Sequence, residues 1–267
     1  MDKVVGFIGA GNMNSAIIGG LIKSGVRPVN IIVSNPSQKK LEGLARDYSI
    51  KTTVDNKMVA ERAEVVVIGV KPHYVEAVCD EIAEVVNQTL IISVAAGKPI
   101  SHIAAYFGVN QAIIRAMPNT PSLVGKGATG ICLSNHVTAE QAQTAVSIFA
   151  TIGITEIVED ESLMDVVTAL SGSGPAYFFY VVEAMLEQAM KQGMPEEQAK
   201  QLIYQTINGA AEMLQRSGIS ATELRQKVTS PGGTTAAAIQ SLDQNSVSQA
   251  LQKAIAAAVQ RGRELAQ

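Results

Sequence analysis

Short apolar runs punctuate the first 160 positions: VVGFI (4–8), VNIIVSN (29–35), AEVVVIGVKP (63–72), TLIISVAAG (89–97) and AIIRAMPNTP (112–121). Each has strand length, and none alternates apolar with polar residues. Strands with two apolar faces belong in a parallel sheet covered on both sides. The segments between them supply the cover. Asn12 to Leu21 has the composition of a helix, SQKKLEGLARDY after Pro36 turns Leu41, Leu44 and Ala45 inward, and a helix after Pro72 carries Val75, Val78, Cys79, Ile82 and Val85. Two more short strands, ATGICLS (128–134) and ITEIVED (154–160), flank a helix running from near Thr138 to near Ile152. The pattern predicts an α/β domain over residues 1–160.

Beyond Glu161 the period changes and strands disappear. DVVTALSGSGPAYFFYVVEAMLEQAMKQG (165–193) reads as one long helix with a glycine-rich opening at 172–174. PEEQAKQLIYQTINGAAEMLQRSG follows with Pro195 suited to a first turn, and SQALQKAIAAAVQRGREL (248–265) is a further helix. Gly193 and Gly218 are helix stops. This predicts an all-helical domain over residues 161–267, with the boundary within 158–164. Its segment 175–190 is apolar on more than one face, with Ala176, Phe178, Phe179, Val181, Val182, Ala184, Met185 and Ala189. A helix apolar nearly all round must be buried nearly all round. In a domain of this size a symmetry mate provides that burial most simply, so a homodimer is expected.

Composition narrows the function. Of 267 residues 47% are hydrophobic and 17% charged, which agrees with part of the apolar surface being covered by a partner subunit. The net charge of −3, with scattered Lys and Arg, offers no track for nucleic acid. No apolar stretch approaches the roughly 18 residues that span a bilayer, so no membrane is expected. Met1-Asp2-Lys3 leads directly into a strand without the order of a signal peptide. Cys79 and Cys132 lack a CxxC partner and read as buried small hydrophobes in a reducing compartment, so the cytoplasm is expected. His73, His102 and His136 are isolated, and no metal site is expected.

The first strand ends in GAGNMN (9–14), a strand-to-helix turn of small residues. In a Rossmann dinucleotide fingerprint the first glycine makes the turn, the second admits the pyrophosphate, and a third small residue packs helix on strand. Gly9 and Gly11 fill the first two places, but Asn14 occupies the third, where it must sit beside the sheet or turn to the ligand. Amides of residues 11–13 point at a phosphate, helped by the positive end of the helix. An acid about 20 residues further on normally takes the ribose 2′-hydroxyl. Here the second strand ends in Ser34-Asn35-Pro36-Ser37, followed by Lys39 and Lys40, with no carboxylate to repel a 2′-phosphate. NADPH is therefore favoured, with NADH left open. Asn56 and Val70-Lys71-Pro72 face the same crevice, beyond the carboxyl ends of parallel strands.

The remaining polar clusters are MPNTP (117–121), SGSGPAY (171–177) and TSPGGTTAAA (229–238). No GxSxG is present, and Ser171, Ser173 and Ser230 have no evident His partner. SPGGTT places a turn directly before Thr235-Ala236-Ala237-Ala238, so first-turn amides can bind a carboxylate while Thr234 or Thr235 adds a hydroxyl. That equipment suits hydride transfer to a small anionic substrate needing orientation more than a strong base. An iminium carbon accepts hydride without protonation of an oxygen. The alternative is an NADP-dependent dehydrogenase of a small 2- or 3-hydroxy acid, which wants a lysine or histidine at the reacting oxygen; Lys191, Lys200, Lys227 and Lys253 all lie outside the glycine-rich clusters. A nucleotide-sensing scaffold is the non-enzymatic alternative.

Together FIGAGNMNSAIIGGL, VIGVKP, SVAAG, MPNTP, ALSGSGPAYFFYVVEAM and VTSPGGTTAAAI closely resemble the pyrroline-5-carboxylate reductase family, over residues 4 to 263. The resemblance implies a Rossmann domain followed by an all-helical dimerisation domain, and reduction of the cyclic imine Δ1-pyrroline-5-carboxylate to L-proline by NAD(P)H, the last step of proline synthesis. It implies dimers that in the family often assemble into a decamer of five. By motif it puts Gly9, Gly11, Asn12 and Met13 at the pyrophosphate, Ser34, Asn35 and Asn56 at the adenosine ribose, and Lys71, Pro72, Ala95, Met117, Pro118 and Asn119 along the cofactor toward nicotinamide. The substrate carboxylate falls to Ser230 and the amides of Thr235, Ala236 and Ala237, with the Thr235 hydroxyl beside the ring nitrogen as the catalytic contact.

Overall fold

Alternate residues of a strand point to opposite faces, and in this chain both faces are apolar. Val5 and Phe7 of β1 (Val5–Ile8) join one core cluster while Ile8 joins the other. The structure, a computed structural model, describes residues 2–86, 88–108 and 110–265. After β1 come α1 (Asn12–Lys23), β2 (Ile31–Ser34), α2 (Gln38–Tyr48), β3 (Lys51–Thr53), α3 (Asn56–Arg62), β4 (Val65–Ile68), α4 (Val75–Ile82) and β5 (Leu90–Ser93). They are followed by α5 (Ile100–Phe107), β6 (Ile113–Met117), β7 (Gly127–Leu133), α6 (Ala139–Ala150) and β8 (Gly153–Ile157).

The strands form one eight-stranded sheet in the order β3-β2-β1-β4-β5-β6-β7-β8. Pairing is parallel throughout except at β6 and β7, which run antiparallel, with Ala116 opposite Ile131. The doubly wound parallel half is the Rossmann-type architecture expected from the apolar runs. One core cluster gathers Ile17, Ile18 and Leu21 of α1 with Ile148 and Phe149 of α6. The other gathers Val59 of α3, Val78 and Ile82 of α4 and Ile103 of α5. The short elements β3 and α3 carry too few apolar residues to be legible from periodicity, and α5 is too short, at two turns, for its apolar residues to set a period. The helix after Pro72 ends at Ile82, so Val85 lies beyond it, in a turn.

Past β8 the chain is helical: α7 (Met164–Val167), α8 (Gly174–Lys191), α9 (Glu196–Arg216), α10 (Ala221–Lys227), α11 (Thr234–Gln244) and α12 (Val247–Leu265). The segment expected as one long helix is interrupted by a π turn at Thr168–Gly172 between α7 and α8. Gly193 and Gly218 end α8 and α9 with φ of +87° and +68°, and Pro195 caps α9 from just outside its first turn.

Two compact units emerge. One comprises the chain up to Pro175 together with the chain from Ala258, and the other is Ala176–Ala257. The division falls later than the change of composition near 161 because residues 161–175 are anchored to the sheet. Arg115 of β6 donates to Glu161 (3.2 Å) and Asp165 (3.3 Å), and Gly262 of α12 packs against Asp165. In Ala176–Ala257 the buried apolar residues are Ala199 and Ile203, while Phe178, Phe179 and Tyr180 are 65%, 62% and 74% exposed. Such a unit has little core of its own.

Candidate active site

The turn after β1 is built by backbone conformation. Gly9 has φ of +99°, a region that side chains rarely adopt, and its N–H donates to the Ser34 carbonyl at 2.8 Å. Gly11 caps α1 with no side-chain bond, and the first helical bond runs from the Ser15 N–H to the Gly11 carbonyl. The amides of Asn12, Met13 and Asn14 therefore lie outside the helical ladder. A Cβ added at Gly11 would meet only the Gly69 carbonyl oxygen, at 3.8 Å. An open approach lined by free amides at a helix's positive end fits a dinucleotide pyrophosphate.

Asn14 is fully buried and sits beside the sheet. Its Nδ2 donates to the carbonyls of Gly9 (2.8 Å) and Ile8 (3.3 Å), tying the helix start to the turn it follows. Room for this larger third residue comes from Gly69, just past β4, where an added Cβ would overlap the Asn14 carboxamide. An isolated glycine after a strand signals close approach, which is the one trace of this contact in the sequence.

At the end of β2, Asn35 accepts a bond from the Ala10 N–H (3.0 Å), bracing the glycine turn after β1. Ser34 is buried, and its Oγ donates to Asn56 Oδ1 at 2.7 Å. Asn56 Nδ2 in turn donates to Glu81 of α4 at 2.7 Å. The expectation that no carboxylate stands here is therefore corrected: β2 carries none, but α4 delivers one across the crossover. Nothing local in the sequence marks Glu81. Lys71 and Pro72 are exposed after β4, and Ala95 is buried after β5.

Met117 packs against Gly172 of the π turn, and Pro118 is buried beside it. Asn119 is 8% exposed and committed at both ends: Nδ2 donates to the Ser171 carbonyl (2.9 Å), and Oδ1 accepts from the Ala128 N–H (2.9 Å). Its side chain thus braces the π turn on β7. A π turn is common where a functional segment is shaped.

α11 opens as α1 does. Gly233 caps it at φ −83° and ψ 173°, close to the −84° and 171° of Gly11, and again no side chain caps the helix. The first helical bond joins the Ala237 N–H to the Gly233 carbonyl at 3.1 Å. The amides of Thr234, Thr235 and Ala236 are left outside the ladder, whereas that of Ala237 is engaged within it, correcting its expected availability. Thr235 and Ala236 are half-buried, and Ser230 is exposed just upstream. By contrast, α3, α6 and α10 are capped by Asp55, Thr138 and Ser220.

Several other candidate groups are engaged elsewhere. His102 is 2.8 Å from Glu76, whose carboxyl is held below its usual range first by the Lys98 hydrogen bond and then by His102. Burial pushes the Cys79 thiol up to about 12 and raises that of Cys132 as well. Lys191 pairs with Glu187, and Lys200 with Glu196 and Glu197. Among the described residues no cluster of His, Cys, Asp and Glu suits a metal ion, and no helix is long and apolar enough to cross a membrane.

The chain is similar to known proteins along its length. Residues 161–265 match the family profile described as pyrroline-5-carboxylate reductase dimerisation, and residues 4–97 match that described as NADP oxidoreductase, coenzyme F420-dependent. The pyrroline-5-carboxylate reductase of Pseudomonas aeruginosa is 40% identical over 264 residues, covering 98% of this chain and 97% of that protein. The structure of a pyrroline-5-carboxylate reductase from Coxiella burnetii superposes with a TM-score of 0.95 at 41% identity, covering 100% of both chains. That of Plasmodium falciparum pyrroline carboxylate reductase with NADP bound gives 0.90 at 30% identity, covering 100% of this chain and 99% of the other. With likeness of this extent running through both halves, the chain belongs to the pyrroline-5-carboxylate reductase family.

Proposed function

We propose that this chain reduces Δ1-pyrroline-5-carboxylate to L-proline in the cytoplasm, as a homodimer, with NADPH as donor and NADH also accepted. Residues 1–160 form the nucleotide-binding domain and residues 161–267 the dimerisation and substrate domain. The observation that carries the substrate side is the uncapped start of α11. Three free amides and the Thr235 hydroxyl gather there at the positive end of a helix. A carboxylate supplies the charge that such a start lacks.

The cofactor side uses Gly9, Gly11, Asn12 and Met13 at the pyrophosphate, and Ser34, Asn35 and Asn56 at the adenosine ribose. Lys71, Pro72, Ala95, Met117 and Pro118 line it toward nicotinamide, with Asn119 acting through the π turn it braces. When bound, the reduced nicotinamide supplies the hydride. Ser230 and the amides of Thr234 to Ala236 fix the substrate carboxylate, and the Thr235 hydroxyl hydrogen-bonds at the ring nitrogen. Orientation of a carbon that is already electrophilic carries most of the rate, so no strong base is required. A hydroxy-acid dehydrogenase is disfavoured because Lys191 and Lys200 are committed to carboxylates of their own helices and Lys227 and Lys253 lie outside the glycine-rich clusters.

Cofactor oxidation by the purified protein, measured with pyrroline-5-carboxylate and with a panel of 2-keto acids, tests the activity. Turnover confined to keto acids refutes it. Thr235→Ala is expected to lower kcat/KM for the imine by on the order of 100-fold while leaving the NADPH Kd nearly unchanged. Equal losses in both would remove Thr235 from the substrate site. Assembly of dimers into a decamer of five is the corresponding proposal for the quaternary state, and light scattering tests it.

A further inference from the structure

Dinucleotide-binding folds distinguish a ribose diol from a 2′-phosphate at the end of the second strand, where a carboxylate accepts from hydroxyls and repels phosphate. β2 ends here in Ser34, and the carboxylate arrives instead from α4 through the chain Ser34–Asn56–Glu81, both links 2.7 Å long. The order of the chain matters. A serine hydroxyl can donate or accept, so Ser34 alone leaves the Asn56 carboxamide free to face either way. A carboxylate only accepts, so Glu81 fixes Nδ2 toward itself and Oδ1 toward Ser34. The second Nδ2 hydrogen is left for a ligand, and the Glu81 charge, exposed to solvent, stands within hydrogen-bond distance of the same amide nitrogen.

We propose that Glu81 is a positioning and specificity-determining residue for the adenosine ribose: it orients Asn56, and its charge favours a 2′-hydroxyl over a 2′-phosphate. NADH is therefore accepted beside NADPH despite the absence of an acid on β2. This rests on the dinucleotide reading of the turn after β1.

Dissociation constants for NADPH and NADH, measured by calorimetry without turnover, test it in the wild-type protein, E81Q and E81A. E81Q keeps an acceptor oxygen for Asn56 and removes the charge, so NADPH should tighten relative to NADH by roughly three- to fivefold. The same change should appear for adenosine 2′,5′-bisphosphate against AMP, which locates it at the 2′ position. E81A also frees Asn56 and should weaken NADH binding. Glu81 is exposed, so thermal unfolding of both variants should match the wild type. An E81Q ratio equal to the wild-type ratio, with both nucleotides bound, overturns the role of Glu81 and leaves the dinucleotide reading intact. A wild-type protein that binds neither nucleotide overturns both.

Discussion

Asn14 and Gly69 fit one another so closely that neither should tolerate change alone in the way the two tolerate it together. A methyl group at Gly69 would overlap Oδ1, Cγ and Nδ2 of the Asn14 carboxamide, in a region where Asn14 is fully buried. Overpacking of this kind costs about 1–3 kcal/mol. To escape, the carboxamide must leave the Gly9 and Ile8 carbonyls, which adds about 1–2 kcal/mol for lost buried hydrogen bonds. Gly69→Ala should therefore lose roughly 3 kcal/mol. Asn14→Ala removes the same bonds without overlap and should lose about 1–2 kcal/mol. In the double variant the new methyl occupies space vacated by the amide, and stability should be no lower than for Asn14→Ala. The coupling between the sites is then about 3 kcal/mol, the whole loss of Gly69→Ala, far above the roughly 0.5 kcal/mol scatter of independent sites. Urea unfolding at one fixed protein concentration measures all four proteins, since oligomerisation makes stability concentration-dependent. A double variant less stable than either single variant, by the sum of their losses, refutes the contact.

Arg115 holds Glu161 and Asp165 with its side chain only 7% exposed, so Arg115→Ala strands two partly buried carboxylates and should cost about 3 kcal/mol in urea unfolding. A loss no larger than that of a surface pair contradicts this. With Cys79 pushed up to about 12 and Cys132 raised, both thiols stay protonated at pH 8, and a disulfide reagent should label neither until the protein is unfolded. Rapid labelling of the folded protein counts against the burial described. Phe178→Glu and Phe179→Glu place charge on an exposed apolar helix and should shift light-scattering mass toward the monomer, with circular dichroism largely retained. A mass equal to that of the wild type would put the dimer contact elsewhere.

The strands β1, β2, β4, β5 and β6 were legible because each is buried on both faces, which makes its residues apolar or small almost throughout, the paired Arg115 of β6 being the charged exception. The glycine turn after β1 was legible for a similar reason: a positive φ at Gly9 demands glycine whatever surrounds it, and Gly11 leaves the approach beside it open. Helix stops at Gly193 and Gly218 follow the same rule. Short, half-exposed elements such as β3 and α3 obey no such constraint and left no pattern.

By itself the sequence determined the order of the long helices and doubly buried strands, the two glycine-opened helices at Gly11 and Gly233, and the apolar excess of α8, since these are set by backbone stereochemistry and local periodicity. Only the tertiary structure decided what Asn14 leans on, which carboxylate reaches Asn56, and that Asn119 braces a π turn. Those contacts join residues 25 to 55 positions apart through the geometry of the sheet, and a linear pattern carries no record of which side chains a crossover brings face to face.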